Sequence, residues 1–159
     1  FWWLSSYEKT NEKENIKKLF AGLEIKKEKV FSEHFSQYPV IYLTFNNIKS
    51  SNFEKVLESV ELLIADEFER HDYLLKSDLV TDVQKERFDD IINMRAKSSV
   101  FENSLLNLSR YLYNYHKQKP IILIDEYDTP IINSYIEGYY KEIIDFFRNF
   151  LGAGLKDNP

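Results

Sequence analysis

A chain of 159 residues with 43% hydrophobic content, 12 Phe and 11 Tyr can build one domain with a buried core, which excludes global disorder. A net charge of −5 excludes a molecule-wide basic footprint for nucleic acid, though not a local patch. The lack of cysteine excludes disulfides and thiolate metal sites, which fits a reducing cytoplasm, and no apolar run approaches the roughly 20 residues needed to span a bilayer.

The N-terminus, Phe1-Trp2-Trp3-Leu4, lacks the basic lead and long apolar region of a signal peptide. Residues 1–38 read as a helical lead-in. Its charged stretch, residues 5–18, suits a surface helix or loop, and Leu19, Phe20, Leu23 and Ile25 form a short apolar contact around Gly22. Pro39 opens a β-branched and aromatic run through Phe45, too short for a helix, so residues 39–45 predict a strand.

Residues 51–117 read as a helical crossover. Ser51 with Glu54 is a capping-box pair, and Phe53, Val56, Leu57, Val60, Leu63, Ile64 and Phe68 share one face of a helix running to about His71. A polar loop follows, from Asp72 to Asp82. Thr81 with Gln84 starts a shorter helix bearing Val83, Phe88, Ile91 and Ile92. Ser99 with Glu102 starts another, with Phe101, Leu105, Leu108, Leu112 and Tyr115 on one face and an end near His116. Lys117 and Lys119 suit its C-terminus and Pro120 stops it.

Residues 120–126 predict a second strand, and residues 134–151 a last helix with Ile136, Tyr140, Ile143, Ile144, Phe147 and Leu151 facing inward, ended by Gly152 or Gly154. The order is strand, helices, strand, helix, without a hairpin signal. The expectation is a single α/β domain with parallel, helix-covered strands. Two strands alone do not make a stable parallel sheet. The missing initiating Met and the apolar first residues suggest an excerpt of a longer protein.

The richest segment is Pro120-Ile-Ile-Leu-Ile-Asp-Glu-Tyr-Asp-Thr-Pro130. Ligands of open parallel sheets bind beyond the carboxyl ends of the strands. Four aliphatic residues suit a central buried strand, and Asp125 and Glu126 emerge at its end. Two adjacent ionised carboxylates buried without partners would cost several kcal/mol, so they reach water or meet a cation. Phosphate chemistry gives them work. Asp125 would hold Mg²⁺, directly or through water, and Glu126 would polarise or deprotonate an attacking water. Asp128 would orient Glu126, bind a more distant water or cap the next helix. The plainer alternative is a strand running into a polar loop, with Thr129-Pro130 as a simple turn.

Other residues point less sharply. His34, His71 and His116 lack a metal-ligand set at helical spacing; Glu67 and His71 are four apart and read as a surface ion pair. Tyr111, Tyr113 and Tyr115 alternate, with Tyr115 expected in the core and the others at its rim. Lys26-Lys27-Glu28-Lys29 reads as a solvated face, and there is no Gly-x-Ser-x-Gly nucleophile elbow.

The segment Ile122-Leu-Ile-Asp-Glu-Tyr-Asp-Thr-Pro130 resembles the Walker B region of the bacterial AAA-ATPase-like family. Leu19-Phe-Ala-Gly-Leu-Glu-Ile25, Tyr38-Pro-Val-Ile-Tyr-Leu-Thr-Phe45, Glu102-Asn-Ser-Leu-Leu106, Gly138-Tyr-Tyr140 and Leu155-Lys-Asp-Asn-Pro159 resemble further family segments, so the likeness spans roughly residues 19–159. It implies a partial P-loop NTPase-type three-layer α/β/α fold, ATP and Mg²⁺ as ligands, Asp125 on the metal and Glu126 as catalytic base. It also implies a phosphate loop of the form Arg-Arg-Phe-Gly-Lys-Ser upstream. The four glycines here, at 22, 138, 152 and 154, do not supply one. Family members often carry a linked nuclease-like domain, which would bring nucleic acid as a partner. The rival expectations are a non-catalytic α/β interaction module that lost nucleotide binding and, behind it, a metal-dependent nuclease lacking its acid-x-Lys pair. Oligomeric state is open.

Overall fold

The structure is a computed structural model that describes residues 10–156. The expectations placed on Phe1–Leu4 and on the last three residues lie outside the described residues. Two strands, β1 (Val40–Thr44) and β2 (Ile121–Asp125), pair in parallel with Val40 opposite Ile121 and Thr44 opposite Asp125. Eight α-helices accompany them among the described residues: α1 (Thr10–Leu19), α2 (Lys29–His34), α3 (Phe53–Glu69), α4 (Asp82–Ile92), α5 (Ser98–Glu102), α6 (Ser104–His116), α7 (Asp128–Glu137) and α8 (Tyr140–Lys156). None is long and apolar enough to cross a membrane.

The two strands and the crossover between them make an α/β arrangement dominated by helix. One face of the sheet carries Ile41, Leu43 and Phe45 with Ile122 and Ile124, and it packs on a core built from α3, α6 and α8. Paired positions in a parallel sheet share a face, so Tyr42 and Leu123 lie on the other side. There they line an open groove of about 350 Å³ together with Asp125. The expectation that β2 is buried on both faces is therefore corrected: Ile121 to Ile124 are only half-buried.

Local chemistry moves several helix ends. The first long helix, α3, is capped not by Ser51 but by Asn52, whose Oδ1 accepts the Lys55 N–H at 3.2 Å; Glu54 then sits in the first turn, where the helix dipole favours a carboxylate. Both halves of the Thr81–Gln84 capping box form, at 3.4 and 2.9 Å. The Ser99–Glu102 box does not. Asn103 donates to the Ser99 carbonyl at 2.9 Å and Ser104 to the Phe101 carbonyl at 2.6 Å. These local bonds compete with the helical ladder and split the expected helix into α5 and α6. Glu102 accepts from Asn149 on α8 instead.

The expected helix over 134–151 is also two helices. Gly138, at φ 88°, ends α7, and its N–H and that of Tyr139 both reach the Ser134 carbonyl. The break re-phases the chain, leaving Ile136 and Tyr140 at 73% and 46% exposure instead of facing inward. Pro130 is tolerated because it lies in the first turn of α7, where no helical N–H partner is required. At the other end, α8 runs through Gly152 and Gly154. Gly154 lets it approach α6: a Cβ there would collide with Leu105.

Near the N-terminus, Phe20 packs against Phe31 and Phe35, while Leu19, Leu23 and Ile25 stay exposed. The expected apolar contact around Gly22 thus reduces to Phe20.

Candidate functional site

β2 delivers its acids through a tight turn. The Phe45 N–H donates to the Asp125 carbonyl at 3.0 Å, so the last ladder bond of the sheet fixes the backbone at Asp125. Glu126 then adopts φ 49°, in the left-handed region. For a side chain with a Cβ that conformation costs on the order of 1 kcal/mol, and it turns the chain sharply off the sheet. The Thr129 N–H closes the turn on the Glu126 carbonyl at 3.0 Å, and the Thr129 hydroxyl reaches Glu126 Oε2 at 3.4 Å. Asp128 is the first residue of α7, where the helix dipole favours its charge.

Asp125, Glu126 and Asp128 are all exposed, and none of them enters an ion pair among the described residues. Three carboxylates therefore cluster along one four-residue turn at the carboxyl end of a parallel strand, open to solvent. No group of three or more His, Cys, Asp or Glu among the described residues is arranged as a metal cage. Such a cage is not what Mg²⁺ with a nucleotide uses: one or two carboxylates, waters and the phosphates themselves complete its shell. The donor set fits that hard cation in type, with oxygen atoms on short side chains.

A second polar cluster lies on the opposite edge of the sheet, and sequence reasoning misplaced it. The Ile121 N–H donates to the Pro39 carbonyl at one end of the ladder and Phe45 to Asp125 at the other. With a period of two, odd-numbered residues carry the ladder, and the Tyr42 N–H points to the far edge. Glu67 Oε1 accepts it at 3.0 Å. Glu67 Oε2 accepts from Arg70 at 2.7 Å, and His71 Nε2 lies 3.4 Å from Oε1. Glu67 and His71 are each only 3% exposed, so the expected surface pair is a buried one.

The Tyr73 hydroxyl lies 3.2 Å from His71 Nδ1 and 2.9 Å from His116 Nε2. Burial, aided by His71, lowers His116 from its ordinary value to about 4. The Glu67–His71 spacing was a visible signal. What the sequence does not display is the Tyr42 amide, 25 residues away, as a partner of Glu67.

The remaining candidates fall into place simply. Tyr111 is in the core, not at its rim, because α6 turns that residue toward Phe88; burial raises its phenol above the ordinary value, with Arg87 opposing. Tyr113 is exposed and Tyr115 packs at the edge of the core. Lys27 and Lys29 form exposed pairs with Glu24 and Glu33.

Fold and site thus define a parallel α/β domain with an acidic strand end. The family model described as a predicted AAA-ATPase matches residues 3–159, and the chain belongs to this AAA-ATPase-like family. No curated protein and no solved structure matches the chain.

Proposed function

We propose that this chain is part of an ATP-hydrolysing AAA-ATPase-like domain and carries its Walker B element, in the run from Ile122 to Pro130. The carrying observation is the turn at Asp125 and Glu126: two adjacent carboxylates, exposed and without cationic partners among the described residues, at the carboxyl end of a parallel strand. Asp125 would hold Mg²⁺, directly or through water, and a bound ion would supply neutralisation of the charge that develops on the phosphate oxygens. Glu126 accepts a proton from, or polarises, the water that attacks the γ-phosphorus. The bond from that phosphorus to the β–γ bridging oxygen breaks, giving ADP and phosphate. Asp128 orients Glu126 or binds a water at the turn.

The phosphate loop that grips the nucleotide is read as lying upstream. Backbone amides and a loop lysine supply most of the grip on the β- and γ-phosphates, so these residues alone bind ATP weakly. The rest of a three-layer P-loop sheet is assigned to the open edge of β2. Support comes from the opposite edge, where Glu67 already accepts the outward Tyr42 N–H of β1. A cytoplasmic location and a linked nuclease-like domain acting on nucleic acid complete the reading.

Asp125→Asn in the full-length protein tests the metal assignment. Mg²⁺-dependent ATP turnover falls by about 100-fold or more if one carboxylate carries much of the metal's affinity. Unchanged turnover and unchanged Mg²⁺ dependence remove Asp125 from the site.

One observation favours a second reading, a non-catalytic interaction module. Ile132, Tyr135 and Ile136 on α7, with Tyr140 beyond the break, form an exposed apolar face between 46% and 77% accessible. The sequence upstream of Phe1 separates the two readings. A Gly-Lys-Ser or Gly-Lys-Thr loop supports the ATPase, and a start codon there supports the module.

A further inference from the structure

The chain leaving β1 is fastened twice, once to the acidic strand end and once to residues in and just beyond α7. The first fastening is the Phe45 N–H on the Asp125 carbonyl. The second lies at Ser50, five residues on. The Ser50 N–H donates to Asn133 Oδ1 at 2.8 Å. The Tyr139 hydroxyl lies 2.6 Å from the Ser50 carbonyl and 2.9 Å from the same Asn133 Oδ1. A phenol has one proton, so it is shared between two acceptors, with the shorter distance favouring Ser50.

The group is built to be held in place. Tyr139 is only 7% exposed, and its ring packs on Phe53 at the start of α3. Gly138 in the left-handed region aims it back at the loop, and the bond from its own N–H to Ser134 fixes its backbone. Ser50 and Asn133 are 83 residues apart in sequence, and Ser50 and Tyr139 are 89 apart. Two long-range bonds converging on one residue's peptide groups pin a loop that has little regular structure of its own.

We propose that Asn133 and Tyr139 form a clasp that positions the catalytic turn. The inference rests on the functional reading above and extends it to residues remote from the reacting atoms. The clasp fixes the middle of α7 and the residue just past its Gly138 stop against the β1 exit loop. The first turn of α7 holds Glu126 through Thr129, and the start of the same loop holds Asp125 through Phe45. Loop, turn and helix thereby close into one ring, and the clasp sets where Glu126 stands relative to Asp125. Small displacements of a base from its water cost large factors in rate. Asn133 and Tyr139 are positioning residues; neither touches the substrate in this scheme.

The test uses the full-length protein and three variants: Asn133→Ala, Asn133→Asp and Tyr139→Phe. Asp keeps an oxygen for both donors, so it rescues the clasp, whereas Ala leaves both without it. Two readouts are taken, steady-state ATP hydrolysis and amide hydrogen exchange. The expected result for Asn133→Ala is a kcat at least about tenfold lower, with KM for ATP changed less than about twofold and the Phe45 and Thr129 amides exchanging about tenfold faster. Tyr139→Phe shifts the same readouts in the same direction by less, and it decides the matter should Asn133→Ala not fold. Asn133→Asp stays near wild type.

Unchanged exchange at both amides overturns the clasp. So does faster exchange with unaltered kcat, or an Asn133→Asp protein as impaired as Asn133→Ala. Asp125→Asn runs alongside. If it abolishes turnover while the clasp variants do nothing, the positioning role alone is lost. A wild-type protein without ATP turnover sinks the functional reading, and the exchange rates then decide the clasp by themselves.

Discussion

Carboxylates meet the two-stranded sheet at two places and are treated in opposite ways. At the outer edge of β1, Glu67 is buried and serves the fold through a backbone amide, a guanidinium and an imidazole. At the end of β2, Asp125, Glu126 and Asp128 are exposed and lack a cationic partner among the described residues. A buried carboxylate must be matched by neighbours or it costs several kcal/mol. An exposed one needs no match, and it keeps its oxygens available for something that arrives from solvent. Both clusters are acidic and both lie at a sheet boundary. Satisfaction by the protein itself is what separates the structural acid from the candidate functional one.

The contrast breaks most visibly at Glu67. Glu67→Ala strands the Tyr42 amide and leaves Arg70 beside a cavity, so chemical denaturation should show a loss of about 3 kcal/mol. A change under about 0.5 kcal/mol would mean that the buried cluster is not holding the edge strand. Next in size is Gly154→Ala, which drives a methyl into Leu105 where α8 meets α6; overpacking of this kind costs about 1–3 kcal/mol, readable as a lowered Tm.

His116, linked to the Glu67 cluster through Tyr73 and His71, gives the third effect. Folded His116 titrates near 4, below its ordinary 6.5, so the unfolded chain binds that proton more tightly. Its contribution is fully present above pH 6.5 and is lost as pH falls toward 4. The ring is partly exposed, and after discounting for solvent the loss is about 1–2 kcal/mol. His116→Gln should flatten that part of the stability profile between pH 4 and 6.5; an unchanged slope would remove His116 as its source. The smallest effect belongs to the other region. Asp125→Asn should move stability by less than about 0.5 kcal/mol, because its exposed carboxylate enters no ion pair among the described residues. A loss of several kcal/mol there would make Asp125 structural after all.

How legible these regions were follows from the range of the interactions involved. The acidic strand end is local: Ile121 to Ile124 followed by two acids identifies a strand and its terminus from adjacent residues. Thr81 and Gln84 are equally local, and their capping box forms. Ser51–Glu54 failed as a cap because Asn52, an equally good cap, lies one residue on and starts the helix there by accepting the Lys55 N–H. The long final helix failed at Gly138, where a glycine tolerated in a helix was instead used to stop one. Glu67 and the clasp at Ser50 depend on partners 25 to 89 residues away, and no spacing rule reaches that far. The sequence pattern thus displayed the candidate site's acids, but neither the turn that presents them nor the bonds that hold that turn.

In the functional reading, the exposed turn acts on a nucleotide. Glu126→Gln in the full-length protein, assayed for ATP binding and ATP turnover together, tests it most directly. Retained binding with turnover lowered by about 100-fold or more is the predicted result, since the amide keeps the shape and loses the base. Turnover equal to wild type would contradict Glu126 as the base and remove the acidic turn's catalytic role.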